Sequence, residues 1–272
     1  MPRNSLNRWS MDALKAVMDA GSFSKDVLER LKRRAIVRRI AIAHNLRAGP
    51  LRAGYKGSWE AMSRTEAQAK LAVSGSTEES GYQESGRRTA TQLQETVGIR
   101  ADDVVLEIGA GVGRVGAVVA PLCREWIGAD VSENMLRYLR RRLKRFRNVR
   151  TIALNGYDLG PILPETIDLV YATVVFMHLD EWERYGYVAE GMRVLRPGGR
   201  MYVDNFNLLS DDGWAVFEQH RQMSPRNRPP HISKSSTPQE LETYFRRAGF
   251  ESIRQKQEGL WIATFGHKPI AF

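Results

Sequence analysis

The chain has 272 residues, one cysteine and a formal net charge of +10. This length allows one α/β domain with an N-terminal extension, and the single cysteine excludes a disulfide framework or a cysteine-rich zinc site. No apolar run approaches the ~20 residues that span a bilayer, and no signal peptide is recognisable, so we expect a cytoplasmic protein without a transmembrane segment.

Positive charge is concentrated in two blocks. Residues 1–50 contain eleven Lys and Arg against four acids, and residues 137–150 contain eight with no acid. The basic stretches 25–47 and 137–150 could contact nucleic acid, a membrane surface or an anionic substrate. A helix packed on the protein with a solvated basic face would give the same pattern, so these alternatives stay open.

Helical periodicity predicts two helices in residues 7–46, a loop over residues 47–58, and further helices over 59–73 and 84–97. We interpret residues 1–80 as a helical N-terminal extension or lid. Residues 81–272 then form the main domain.

The main domain begins with the stretch VVLEIGAGVGRVGAVVAPLCREWIGADVSENML over residues 104–136. A buried strand, three alternating glycines, a helix and a second strand ending at Asp130 form a predicted βαβ unit. Glycines at such a turn let the backbone approach a ligand closely, and a carboxylate at the end of the next strand can accept both hydroxyls of a ribose. The unit therefore predicts a nucleoside-containing ligand. We expect Cys123, on the helix after the glycines, to serve packing.

The remainder alternates between predicted helices and strands, with an insertion at 205–237 that lacks strong periodicity. We predict helices over 133–146, 181–195 and 238–248, and strands over 149–155, 168–173, 200–204, 251–257 and 261–268.

Three motifs together resemble the class I S-adenosylmethionine-dependent methyltransferases over roughly residues 80–268. They are the E-x-G-x-G-x-G pattern from Glu107 to Gly113, the run IDLVYATVVFMHL and the run RVLRPGGRMYVDN. The resemblance implies an α/β fold with a Rossmann-like, seven-stranded, mostly parallel sheet, an antiparallel last strand and helices on both faces. It implies S-adenosylmethionine as cofactor, bound by Glu107, Gly109, Ala110, Gly111, Gly113, Asp130, Val131, Asn155, Gly156, Tyr157 and Thr173.

The family usually has an aspartate where Asn155 stands, and that aspartate contacts the adenine amino group. An amide oxygen can accept the same hydrogen bond, with Tyr157 and Asp158 as alternatives. In the family, the segment before the glycine loop folds over the cofactor, which makes Tyr82 and Arg87 candidates for contacting the methionine carboxylate.

Methyl transfer is an in-line displacement, so the enzyme positions donor and acceptor and removes a proton from a hydroxyl acceptor. His178 and Asp204, each near the end of a predicted strand, are the candidate bases. We expect O-methylation of a small-molecule or glycan hydroxyl. The acceptor molecule could be an anion, because the basic helix would attract one. An RNA methyltransferase or nucleic-acid-binding protein and a non-catalytic adaptor are the alternatives, and the sequence indicates no oligomeric state.

The pair Asp204 and Asn205 also resembles the Mg²⁺ site of metal-dependent O-methyltransferases. The fourth strand, however, ends at Ala172 and Thr173, where those enzymes have a further aspartate. A divalent ion would lack one carboxylate ligand, so we assign no metal ligands and keep Mg²⁺ as the weaker alternative.

Overall fold

A computed structural model describes residues 55–75, 78–229 and 231–270, and the helices predicted within residues 7–46 lie outside the described residues. The described residues belong to one compact unit. Among them, no helix is long and apolar enough to cross a bilayer. The predicted division of the chain at residue 80 stays a prediction.

The centre of the unit is one seven-stranded sheet. Its strands are β1 (Val104–Ile108), β2 (Glu125–Asp130), β3 (Val149–Ala153), β4 (Ile167–Ala172), β5 (Leu195–Phe206), β6 (Glu251–Glu258) and β7 (Trp261–His267). They are ordered β3-β2-β1-β4-β5-β7-β6, with β7 antiparallel to both of its neighbours and the other pairs parallel. The predicted fold class is confirmed.

Helices cover both faces of the sheet. The α-helices are α1 (Tyr55–Met62), α2 (Glu66–Ser74), α3 (Glu79–Thr96), α4 (Gly116–Val119), α5 (Glu133–Arg142), α6 (Glu181–Val194), α7 (Asp211–Arg221) and α8 (Pro238–Ala248). Alternate residues of β1 enter separate apolar clusters, with Leu106 in one and Val105 in the other. This division follows from the two-residue period of a strand buried on both faces. Cys123 is buried in the second cluster, as its predicted packing role requires.

The N-terminal helices differ from their predicted bounds. The single helix predicted over 59–73 is two helices: α1 ends at Met62, and α2 begins after Thr65, which caps it. Thr65 Oγ1 accepts from the Gln68 N–H at 3.2 Å, and Gln68 Oε1 accepts from the Thr65 N–H at 3.1 Å, which is a capping box. The predicted start of α3 at residue 84 was also wrong, because the helix begins at Glu79.

Two further expectations on local structure were wrong. Residues 196–199, which the predictions leave between the helix 181–195 and the strand 200–204, lie inside β5. There the Gly198 N–H donates to the Lys268 carbonyl and the Lys268 N–H donates to the Gly199 carbonyl, so pairing with a distant segment decides the conformation. The insertion at 205–237, predicted without regular structure, contains α7, whose first turn is capped by Ser210 Oγ.

Candidate functional site

The carboxyl ends of the central strands open into one cavity. In a parallel sheet these ends meet at one edge, which is where ligands of such folds bind. The cavity encloses about 690 Å³, including volume open at its mouth. Its walls come from the glycine loop, from the ends of β2 and β4 and from α1 and α2.

The glycine loop is fastened to the end of β2. The Gly109 and Ala110 N–H groups donate to the Ala129 carbonyl at 2.8 and 3.0 Å. Gly109 and Gly111 have φ angles of 70° and 53°, which favour glycine, and both line the cavity. A Cβ on Gly109 would also overlap Val175 Cγ2. The loop therefore has a conformation that requires glycine, and two of its glycines face the cavity.

Asp130 connects the loop to the helix that follows. Its Oδ2 accepts from the Gly111 N–H at 2.8 Å, and its Oδ1 accepts from the Ser132 N–H at 2.9 Å. The carboxylate lines the cavity together with Val131. Burial raises the pKa of Asp130 to about 6.

Glu107 lies behind the glycine loop. Its Oε2 accepts from the Tyr171 hydroxyl at 2.6 Å, and that hydroxyl accepts from Trp126 Nε1 at 3.0 Å. Burial raises the pKa of Glu107 to about 8. Glu107 is not among the residues that line the cavity, so direct ligand contact by this residue stays a prediction.

Two buried hydroxyls near the site lack hydrogen-bond partners among the described residues. They are Tyr82 Oη and Thr173 Oγ1, and Thr173 lines the cavity. An unpaired buried polar atom costs about 1–3 kcal/mol, so such atoms require an explanation. A polar ligand in the cavity would supply a partner for Thr173. The other candidate for the methionine carboxylate, Arg87, is exposed and pairs with Glu84 at 3.1 Å.

The residues predicted to contact adenine follow β3, and among them Gly156 alone lines the cavity. Gly156 lines the cavity with a φ of 101°. Asn155 Oδ1 instead accepts from the N–H groups of Tyr157 and Asp158, each at 3.0 Å, which closes a local turn. The Tyr157 side chain is exposed. The structure thus brings Gly156 to the cavity, while Asn155 is occupied by its own turn.

His178 lines the cavity beside Trp59, with 4.9 Å between their ring centroids in an edge-to-face arrangement. Its Nδ1 lies 2.8 Å from the carbonyl oxygen of His231. Because a carbonyl can only accept, Nδ1 carries the proton and Nε2 keeps a lone pair. Burial lowers the pKa of His178 to about 4, so the ring is neutral at pH 7.

Arg184 holds the end of the insertion against the site. Its Nε donates to the Phe176 carbonyl at 2.9 Å, its Nη1 to Ser236 Oγ at 2.8 Å and its Nη2 to the Lys234 carbonyl at 3.1 Å. This buried guanidinium therefore ties the turn before His178 to the segment that carries His231. Sequence reasoning missed Arg184 and His231, because their partners are distant in the sequence.

Asp204 supports the turn after β4 and does not line the cavity. Its Oδ1 accepts from the Val174 N–H at 2.7 Å, and Val174 has a φ of 62°, a rare conformation for a β-branched residue. Burial raises the pKa of Asp204 to about 7. Asn205 Nδ2 donates to Ser236 Oγ at 2.8 Å, away from Asp204. In the described part of the chain, no group of three or more His, Cys, Asp or Glu side chains is arranged to hold a metal.

The basic stretch at 137–150 forms many pairs within the protein. Arg141 and Arg142 pair with Glu66 and Glu79 of the neighbouring helices α2 and α3. Arg150 pairs with Glu125 at 2.8 Å. Other elements therefore supply the acids that this stretch lacks. No external anion is needed to explain these three arginines.

The comparison with protein families matches residues 106–203 to a methyltransferase domain. A demethylmenaquinone methyltransferase of Tropheryma whipplei is 33% identical over 121 residues, which cover 44% of this chain and 48% of that protein. A methyltransferase of Streptomyces halstedii is 29% identical over 155 residues, which cover 55% of each protein. The chain thus spans about half the length of the curated relatives it matches.

Solved structures share the fold at low sequence identity. An S-adenosylmethionine-dependent methyltransferase of Aquifex aeolicus has a TM-score of 0.50 and 15% identity, over 68% of this chain and 98% of that one. Phosphoethanolamine N-methyltransferase 2 of Haemonchus contortus, in complex with S-adenosyl-L-methionine, has a TM-score of 0.53 and 14% identity, over 67% of this chain and 52% of that one. At these identities the comparison establishes the architecture alone.

Proposed function

We propose that the protein uses a class I S-adenosylmethionine-dependent methyltransferase domain to transfer a methyl group from S-adenosylmethionine to the hydroxyl of a small molecule. The proposal of a hydroxyl acceptor rests on the protonation state of His178. Its Nδ1 is held by the His231 carbonyl at 2.8 Å, and burial keeps the ring neutral at pH 7, so Nε2 can accept a proton. An acceptor hydroxyl loses a proton when its oxygen is methylated, and this nitrogen is the candidate to receive it.

The donor side of the cavity fits S-adenosylmethionine. The donor supplies a methyl group on a positively charged sulfur. Asp130 would accept the ribose hydroxyls, since its carboxylate lines the cavity, and the unpaired Thr173 Oγ1 would gain a polar partner. Gly109 and Gly111, which line the cavity, would bring the backbone of the loop against the ligand.

The acceptor side supports a small, flat molecule. Tyr55, Trp59, His178 and Tyr187 line the cavity and give it aromatic walls. Because a histidine with a pKa of about 4 is a weak base, it suits an acidic hydroxyl, such as that of a phenol or enol, better than a sugar hydroxyl. A small-molecule acceptor also agrees with the name of the Tropheryma whipplei relative, a demethylmenaquinone methyltransferase.

The first experiment measures binding and turnover separately. Calorimetry with S-adenosylmethionine tests the donor, and mass spectrometry of a metabolite extract treated with the protein and donor identifies compounds that gain a methyl group. With an acceptor in hand, His178→Ala should lower kcat by about 10²–10⁴-fold, the usual contribution of a general base, with donor affinity nearly unchanged.

His220→Ala is the matched control, since His220 Nδ1 lies 3.0 Å from the Ser233 carbonyl in the same insertion, and His220 does not line the cavity. Turnover by His178→Ala within a few-fold of wild type would remove His178 from the proton transfer. Absence of donor binding to the wild-type protein would refute the proposed function itself.

A further inference from the structure

The helices α1 and α2 cover the cavity on one side, and we call them the cover helices. Trp59 of α1 and Val73 of α2 line the cavity. A Cβ on Gly111 would lie only 3.0 Å from Val73 Cγ2, so α2 packs directly on the glycine loop. A ligand held by this loop would therefore lie beneath the cover helices.

Glu60 of α1 binds the beginning of α5, a helix far from it in the sequence. Its Oε1 accepts from the Glu133 N–H at 2.7 Å, and its Oε2 accepts from Ser132 Oγ at 3.1 Å and from the Asn134 N–H at 3.5 Å. The first N–H groups of a helix lack acceptors within the helix, and a carboxylate there is favoured by the helix dipole. Ser132 supplies the usual N-cap, because its Oγ accepts from the Met135 N–H at 3.2 Å. Glu60 adds acceptors from the cover helices for the N–H groups of Glu133 and Asn134.

Ser132 joins this cap to the candidate ribose site. Its N–H donates to Asp130 Oδ1 at 2.9 Å, while its hydroxyl donates to Glu60 and lies 2.9 Å from Ser63 Oγ of the segment after α1. Ser132 is fully buried, so neither bond is easily replaced by water. The position of the cover helices and the position of the Asp130 carboxylate are therefore set by the same serine.

We propose that Glu60 is a positioning residue, which holds the cover helices closed over bound S-adenosylmethionine and, through Ser132, orients Asp130 toward the ribose. This inference rests on the proposed function. It predicts that Glu60 affects retention of the donor rather than the chemical step, because Glu60 touches neither the acceptor side of the cavity nor His178.

Another contact between the cover helices and α5 provides a matched comparison. Glu66 of α2 pairs with Arg141 of α5, but both are charged side chains with substantial exposure. Exposed ion pairs contribute little and are weakened by salt. Glu60 instead binds backbone N–H groups whose alternative acceptors are absent within the helix. Loss of Glu60 should consequently open the cover helices far more than loss of Glu66.

The test compares Glu60→Ala, Glu60→Gln and Glu66→Ala in the full chain. Calorimetry should show donor binding weakened about tenfold in Glu60→Ala, the effect of losing a helix cap, and by less than twofold in Glu66→Ala. Glu60→Gln should fall between them, because the amide keeps one acceptor oxygen. With saturating donor, kcat should stay within twofold of wild type while KM for the donor rises.

Limited trypsin digestion gives a second readout, since Lys56 and Arg64 lie in or beside the cover helices. Donor should protect these sites in wild type and in Glu66→Ala, and much less in Glu60→Ala.

Equal donor affinity in all four proteins, or equal weakening in Glu60→Ala and Glu66→Ala, would overturn the inference while leaving the proposed function intact. If wild type itself binds no donor, the proposed function fails and this inference fails with it. Should Glu60→Ala not fold, Glu60→Gln against Glu66→Ala decides the question.

Discussion

Asp204→Asn tests how much a buried carboxylate near the candidate site lowers the free energy of unfolding. Asp204 is 8% exposed, and burial raises its pKa from 3.8 to about 7. Because each tenfold change in an acid dissociation constant corresponds to about 1.4 kcal/mol, the ionised carboxylate costs the folded protein about 4 kcal/mol above pH 7. Asparagine is uncharged, and its side-chain oxygen can still accept from the Val174 N–H.

The pH dependence of this effect has a definite sign. Since the folded pKa lies above the unfolded one, the folded protein holds the Asp204 proton more tightly. The free energy of unfolding therefore falls as pH rises from about 4 to about 7, and then levels off. The variant lacks this contribution. Relative to wild type, Asp204→Asn should gain stability across that window, reaching about 2–4 kcal/mol at pH 8.

Urea unfolding at several pH values between 5 and 8, followed by circular dichroism, measures the difference between variant and wild type. Taking the difference cancels the titration of groups that the two proteins share. Asp102→Asn, at an exposed carboxylate, is the control for the substitution. A difference that does not change with pH would refute the reasoning. Turnover should remain within a few-fold of wild type, whereas a loss of 100-fold or more would make Asp204 the base.

Three further predictions concern the ligand and the core. Binding of S-adenosylmethionine, which carries positive charge, should release protons at pH 7 by lowering the raised pKa values of the buried carboxylates. Different binding enthalpies in buffers of different ionisation enthalpy would show this release, and equal enthalpies would contradict it. Gly109→Ala should abolish measurable donor binding, because φ is 70° and a Cβ overlaps a valine; Gly57→Ala, with open space around it, should not. Arg200→Met should cost about 3–5 kcal/mol of unfolding free energy, because it leaves the buried Asp103 carboxylate unpaired, whereas Arg196→Met at a more exposed pair should cost about 1 kcal/mol or less. Similar losses in these two arginine variants would contradict the role assigned to burial.

The sequence predicts the sheet and the glycine loop well, because both depend on local patterns. Apolar runs mark the strands, and glycines mark the turn whose φ angles of 70°, 53° and 81° at positions 109, 111 and 113 favour them. The capped start of α8 at Thr237 and its end at Gly249 were likewise readable, since capping side chains lie within a few residues of the helix ends.

The features that the sequence does not reveal depend on partners far along the chain. Glu60 reaches a helix more than 70 residues away, and Arg184 reaches a segment about 50 residues away. The sequence position of Asn155 suggested an adenine contact, but its amide oxygen accepts from N–H groups of its own turn instead. Periodicity and capping rules contain no information on such contacts, and only the assembled fold brings them together.

The donor and acceptor sides of the cavity differ in the charge of the groups around them. Glu107, Asp130 and Asp204 are buried near the carboxyl ends of β1, β2 and β5, and burial raises the pKa of each. A cationic ligand nearby would favour their ionised forms, so the cost of burying these acids is offset when a positively charged donor binds. The walls beside His178 are instead aromatic and neutral, and they include Trp59 from the cover helices. We therefore expect the sheet to determine which cofactor binds, and we expect α1 and the insertion to determine which hydroxyl approaches it.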